Sequence, residues 1–367
     1  MNRTKIGVIG CGNISGAYLT AGGRYEILEV AACADMDMSR AEAKAKEHGI
    51  PKVCTVGELL ADPDLAIVLN LTPPFAHCEV ATQILEAGRS AYSEKPLGVN
   101  RAEGQSQLDL ARSKGLLLGC APDTFMGAGI QTCRKVIDDG LIGEPMGAAA
   151  FMMCHGHESW HPDPEFYYMS GGGPLLDMGP YYMTALVNLL GPVKRVTGSA
   201  TITFPERTIT SQPKNGTVMK VTCPTHVAGV MEFASGAIGT LMMSFDVWAA
   251  RVPCIEIYGT EGSLAVPDPN GFGGPVTVWR KSTGTWEDVQ HTHGYADNNR
   301  GIGVADMCYA LRSGRPHRAS GDLAFHVLDT MVTIYDAWDA GRWVDVASTC
   351  ERPAALPLNL KPGTLDE

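Results

Sequence analysis

No stretch of the chain approaches the roughly eighteen consecutive apolar residues that a membrane-spanning helix requires. A helical membrane protein is therefore not expected. Met1-Asn2-Arg3-Thr4-Lys5 leads straight into a strand-like run with no apolar signal segment, so the expected location is cytoplasmic. Basic residues are in deficit, with 29 Lys and Arg against 40 Asp and Glu and a net charge of −11. Phosphate backbones call for a basic face, so nucleic acid is not expected as a partner. Paired cysteines are missing too: the 11 cysteines stand singly, none in a Cys-x-x-Cys pair, and several fall inside apolar runs. They read as reduced core residues, with no metal or disulfide framework. Internal repeats and low-complexity segments are absent, apart from a proline-containing tail over 353–362 expected to pack on the surface or fray.

What is present fits two domains and a sizeable core: 367 residues, of which 45% are hydrophobic. Lys5-Ile6-Gly7-Val8-Ile9 is a short apolar strand, and Gly10-Cys11-Gly12-Asn13-Ile14-Ser15-Gly16 follows at once, opening a helix through Leu19. That order gives the glycines meaning. Gly10 permits a tight turn, Gly12 lets backbone approach a pyrophosphate, and the helix start at Asn13-Ile14 offers free N–H donors. A second strand over 27–34 ends in Asp35, nineteen residues after Gly16, where an acid would meet the adenosine ribose hydroxyls. Met36 and Asp37 come before the first arginine, Arg40, so a 2′-phosphate would meet carboxylates first. This favours NAD over NADP. Ser39 is the expected cap of a helix over 40–48.

The continuous apolar run over 66–71 predicts a strand buried on both faces of a parallel sheet. It ends in Thr72-Pro73-Pro74, with His77 at the next helix start, all at the carboxyl edge that faces a cofactor. A short β-prone run then delivers Glu94-Lys95-Pro96. The residue before proline is pushed out of the helical region, so Lys95 is expected extended at a strand end with its ammonium held in a fixed direction. Strand and helix alternation fills residues 1–121 as a doubly wound parallel α/β domain. From 122 to 345 longer alternating strands, including a hairpin over 227–247 and two late helices, predict an α+β domain with a large, mostly antiparallel open sheet. Residues 346–367 form the tail.

With these motifs in order, the chain resembles the Gfo/Idh/MocA oxidoreductase family over nearly its whole length. The most specific parts are Ser93-Glu94-Lys95-Pro96-Leu97 and Gly171-Gly172-Gly173-Pro174-Leu175-Leu176-Asp177-Met178-Gly179-Pro180-Tyr181. The resemblance implies a cofactor cradle of Gly10, Gly12, Asn13, Ile14, Asp35, Met36, Thr72, Pro73, His77, Glu94 and Lys95, and a catalytic set of Lys95, Asp177 and Tyr181. Tyr181 stands where the family usually has a histidine. A phenol is mostly protonated near neutral pH unless an ammonium such as Lys95 favours its anion; the other reading is that Tyr181 only packs. Asp177 and Tyr181 are spaced to share one helix face.

His155-Gly156-His157-Glu158-Ser159-Trp160-His161 is a second polar cluster. On a strand, His155 and His157 would face one way as metal ligands do, but the resemblance implies no metal. A sugar site uses such residues as well, with Trp160 against a ring face and His157 and His161 on hydroxyls. Asp123 and Thr124 are expected to line the same crevice, and His326 to touch substrate. The expectation is an NAD-dependent dehydrogenase of a sugar or polyol: an aldose, inositol, pentose or branched sugar such as apiose. Open alternatives are a redox-cycling NAD-dependent glycosidase or lyase, and a non-catalytic NAD-binding protein. The open sheet face would join a homodimer or homotetramer.

Overall fold

In the computed structural model, which describes residues 3–366, two sheets organise the chain. The first comprises β1 (Thr4–Ile9), β2 (Leu28–Ala34), β3 (Lys52–Val53), β4 (Ile67–Asn70), β5 (Ser90–Ser93) and β6 (Leu118–Cys120). Its six strands are all parallel and lie in the order β3-β2-β1-β4-β5-β6. The chain winds outward from β1 in both directions, so a crevice opens between β1 and β4 at the strands' carboxyl ends. Helices cover both faces, which is why β4 and β5 are buried along their full length and carry apolar runs without alternation.

Local chemistry sets the helix ends. The first long helix runs Met38–His48, and its cap is Asp37, whose carboxylate accepts the Ser39 N–H, while Gly49 closes the helix in the left-handed region. The expectation of Ser39 as cap is corrected. An ionised carboxylate is the stronger acceptor at a helix start, and it also takes the Ser39 hydroxyl proton at 2.6 Å. Thr55 and Glu58 form a capping box, and Asn100 and Ser320 cap the Arg101–Ser113 and Gly321–Ala340 helices.

The second sheet holds β7 (Pro145–Met153), β8 (Val193–Thr201), β11 (His226–Phe233), β12 (Ile238–Ser244), β13 (Ile255–Gly259), β14 (Gly262–Val266), β15 (Val276–Arg280), β16 (Trp286–Val289) and β17 (Val344–Asp345). β9 (Glu206–Thr208) and β10 (Val218–Lys220) form a separate antiparallel ribbon. The nine strands lie in the order β16-β15-β14-β13-β7-β12-β11-β8-β17, and every neighbouring pair is antiparallel except β7 with β12. β11 and β12 form the hairpin expected around Ser235-Gly236, with Gly236 at φ +93°.

The Gly179–Leu190 and Gly321–Ala340 helices cover one face. Gly198 lets the second approach closely, since a Cβ there would sit 2.9 Å from Ile334 Cγ2. On the other face Phe151, Val230, Met242 and Tyr258 stay half-buried. The tail folds back onto the body: Leu356 and Leu365 are buried, and the Leu356 N–H donates to Gln131 at 2.8 Å. Among the described residues no helix is long and apolar enough to cross a membrane.

Candidate functional site

The site forms where the end of β5 meets the loop and helix segments that precede Gly179–Leu190. Tyr18, on the helix after the glycine turn, donates its hydroxyl to Glu94 Oε1 at 2.6 Å, and Glu94 Oε2 accepts the Lys95 N–H at 2.9 Å. The Glu94 carboxylate therefore ties the glycine turn to the lysine segment. Lys95 reaches across to the short helix that ends at Asp177. Its Nζ donates to the Asp177 backbone oxygen at 2.8 Å and to Oδ1 at 2.7 Å. Burial lowers the Lys95 pKa, but the Asp177 and Tyr181 charges outweigh it and hold the ammonium above its ordinary value.

Burial likewise favours neutral Asp177, yet Lys95 and a His157 hydrogen bond hold its pKa at about 2. His157 Nε2 lies 3.3 Å from Asp177 Oδ2. Lys95 Nζ is 5.3 Å from the centre of the Tyr181 ring. Burial raises the Tyr181 phenol above its ordinary pKa, and the cations of Lys95 and Arg300 oppose that without reversing it. Asp177 and Tyr181 do not share one continuous helix, as their spacing predicted. Asp177 ends the Pro174–Asp177 helix and Tyr181 lies in the first turn of the next. Pro180 has no N–H to continue the ladder between them, and Lys95 reaches both side chains across the break.

His155 and His157 do not share a strand face. Both follow the end of β7; His155 stacks on Trp248 with centroids 3.3 Å apart, whereas His157 packs among Trp160, Tyr167 and Phe245. Trp160 is 61% exposed, leaving a ring face free beside Asp177's partner. His161 lies next to it, its pKa lowered by burial. Beneath this loop Arg207 bonds the buried carboxylates of Glu158 and Asp246, and Tyr168 donates to Glu158.

Four expected contacts are corrected. His77 is 1% exposed, with its ring nitrogens 2.8 Å from the Pro96 and Thr72 carbonyl oxygens. It braces the cofactor edge against the lysine segment from inside and offers no face to a cofactor. Asp123 and Thr124 are each 1% exposed, and Asp123 Oδ2 accepts the Gly301 and Gly303 N–H groups at 2.9 and 3.1 Å. Burial raises the Asp123 pKa to about 6. His326 is fully buried, with Nε2 accepting the Val193 N–H at 2.9 Å and Nδ1 3.0 Å from Ser348 Oγ. No atom of it is available to a substrate.

The cofactor edge fits a dinucleotide. Gly10 has φ +100°, and a Cβ there would strike the Leu71 backbone at 2.7 Å, so only glycine makes this turn. Around Gly12 nothing lies within 4 Å of a Cβ position, which leaves the backbone open to a pyrophosphate. Asp35 Oδ2 accepts the Cys11 N–H at 2.7 Å, and Oδ1 accepts Asp37 N–H at 2.9 Å; each oxygen keeps a lone pair for a ribose hydroxyl. Arg40 pairs with Asp37 at 3.3 Å. Asn13, Ile14 and Pro73 are exposed, and Met36 is 98% exposed; Thr72 is pinned by a 2.6 Å bond from its hydroxyl to Asn70.

Three side chains escaped the sequence reading: Phe75, Arg300 and the Arg207 beneath the loop. Phe75, 81% exposed after Pro74, has only its proximity to the proline pair as a signal. Arg300 meets Asn270 across 30 residues of chain, and nothing in its local sequence marks it.

This arrangement, a dinucleotide edge with an ion-paired lysine beside a tyrosine, suits an oxidoreductase. Residues 4–121 match the oxidoreductase family model with an NAD-binding Rossmann fold, and residues 130–265 match the Gfo/Idh/MocA C-terminal domain model. The chain belongs to the Gfo/Idh/MocA family and its cofactor is NAD. It is 28% identical over 242 residues to trans-1,2-dihydrobenzene-1,2-diol dehydrogenase of Bos taurus, a match covering 66% of this chain and 67% of that one. It is 29% identical over 271 residues to 1,5-anhydro-D-fructose reductase of Ensifer adhaerens, covering 72% and 75%. An NAD binding oxidoreductase structure from Klebsiella pneumoniae superimposes with a TM-score of 0.82 at 24% identity, covering 94% of this chain and 99% of that one, a likeness of fold.

Proposed function

We propose that this protein is an NAD-dependent dehydrogenase acting on a hydroxyl or lactol of a sugar or polyol. The carrying observation is the Lys95 ammonium, fixed by two Asp177 oxygens at 2.7 and 2.8 Å beside the Tyr181 ring. NAD, when bound at the glycine turn, supplies the acceptor for the electrons of the carbinol C–H bond. Lys95 stabilises the developing alkoxide, Tyr181 receives the hydroxyl proton, and Asp177 keeps the lysine in place. His157 and His161 contact other hydroxyls while Trp160 covers an apolar ring face. The relatives that act on a diol and an anhydro-sugar support a polyhydroxylated substrate. The half-buried apolar residues of the open sheet face support a homodimer or homotetramer built across it.

The test follows absorbance of reduced cofactor with NAD and a panel of aldoses, pentoses, inositols and anhydro-sugars. NADH formed with one of them, and lost in Lys95→Ala, is the expected result. Cleavage of glycosides without free NADH would overturn the proposal.

A further inference from the structure

His157 stands on the loop after β7, and its imidazole reaches the carboxylate that holds Lys95. Asp177 Oδ1 accepts from Lys95 Nζ at 2.7 Å, and Oδ2 lies 3.3 Å from His157 Nε2. Each carboxylate oxygen thus meets one nitrogen, and the two nitrogens come from different elements. Among the described residues Asp177 supplies both acceptors of the ammonium, its Oδ1 and its backbone oxygen; the Glu94 oxygens are taken by the Tyr18 hydroxyl and the Lys95 N–H. The placing of Lys95 Nζ therefore depends on the placing of one residue.

The surroundings of the ring decide which nitrogen carries the proton. His157 Nδ1 is buried and has no hydrogen-bond partner among the described residues, so a proton there would be stranded. Nε2 faces an anionic oxygen. The neutral ring is accordingly the Nε2–H tautomer, donating to Asp177. The ring is also held from behind. Tyr167 and Phe245 pack on it with centroids at 4.2 and 4.6 Å, and the His157 backbone N–H donates to the Tyr168 hydroxyl at 3.0 Å. Tyr168 in turn donates to Glu158, which Arg207 bonds at 2.6 Å.

We propose that His157 is a positioning residue: its Nε2–H fixes the plane of the Asp177 carboxylate and so keeps the Lys95 ammonium beside Tyr181. Its part in turnover rests on the dehydrogenase reading. The last torsion of an aspartate is broad and nearly two-fold, so a carboxylate held at one oxygen alone turns through a wide arc. A donor on the second oxygen removes that freedom. A substrate hydroxyl that meets His157 comes to the same Nε2 edge, so the experiment has to separate binding from positioning.

Lys95 is labelled with acetic anhydride at fixed pH in the wild type, His157→Leu, His157→Asn and His157→Gln, and the extent is read by peptide mass spectrometry, with Asp177→Asn as the reference for a lost carboxylate. Labelling needs no substrate, so it stands apart from the dehydrogenase reading. Only the deprotonated amine reacts, and a carboxylate that drifts from the ammonium lets burial favour that form. Lys95 labelling is expected to rise about tenfold in His157→Leu and His157→Asn, the size of one hydrogen bond to a charged group. It should stay near wild type in His157→Gln, whose amide nitrogen reaches the Nε2 position. The kcat for sugar oxidation should fall about tenfold in the first two variants and partly recover in His157→Gln. If His157→Leu does not fold, His157→Asn against His157→Gln decides by the same difference. Unchanged labelling in the folded variants, with only KM raised, overturns the proposal and leaves His157 as a substrate contact. Labelling raised equally in His157→Gln and His157→Leu overturns it too, because the Nε2 donor would then have no part in the effect. Raised labelling, relieved by glutamine, in a protein that oxidises no sugar keeps the coupling of His157 to Lys95 and rejects the dehydrogenase reading.

Discussion

At Tyr181, burial and two cations set the protonation state in opposite directions, and burial prevails. The resting site therefore holds a phenol up to and beyond its ordinary pKa. In the proposed reaction it would donate a proton in carbonyl reduction, and oxidation would depend on losing that proton first. Oxidative kcat is expected to rise with pH through the alkaline range while reductive kcat falls. Tyr181→Phe should lower kcat by about 10²- to 10⁴-fold at little cost in stability, measurable by cofactor absorbance beside a urea titration. His326 calls for the reverse outcome. Replacing it with phenylalanine strands the buried Val193 N–H and should cost about 1–3 kcal/mol in urea unfolding, with KM unchanged.

The elements matter through what braces them. The 154–170 loop, which carries His157 and Trp160, has little regular structure of its own and rests on Arg207 from β9. That side chain is 4% exposed and meets Glu158 and Asp246, exposed 11% and 6%. Arg207→Met leaves two buried carboxylates without their counter-charge, so a loss of about 3 kcal/mol or more is expected in chemical denaturation. If His157 and Trp160 bind substrate as proposed, loosening this loop should also raise KM more than it lowers kcat, because Lys95 and Tyr181 sit on other elements. The break at Met178 has the opposite character. It turns an expected helix face into two short helix ends, and Lys95 restores the grouping by bonding both the backbone and the side chain of Asp177.

For the whole molecule, Asp123 links the two halves of the chain, since its carboxylate receives N–H groups from the start of the Ile302–Ser313 helix. Its pKa near 6 lies above the unfolded value. The folded state thus loses stability as pH rises from the unfolded pKa through 6. Asp123→Asn avoids that loss, and its stability relative to the wild type should rise by roughly 2 kcal/mol between pH 4 and pH 7, read from urea midpoints. The parallel sheet, the glycine turn, Asp35 and the Glu94-Lys95-Pro96 segment were legible in the sequence because each rests on neighbours: an apolar run, a left-handed glycine, a proline just past a strand end. Burial was not legible at His77, Asp123, Thr124 and His326. A polar residue beside a motif looks the same whether it faces a crevice or satisfies backbone groups inside, and only packing from distant segments separates the two. Arg300 and the Arg207 brace escaped for the same reason, as each meets its partners across long spans of chain. The sequence by itself determined the glycine turn, the Asp35 strand end and the Lys95 strand end, because local backbone chemistry sets them, while Asp177 and Tyr181 were pointed to by the family resemblance. Which charges surround them was decided by the tertiary structure alone, because Coulomb and desolvation energies depend on distances that the chain order does not contain.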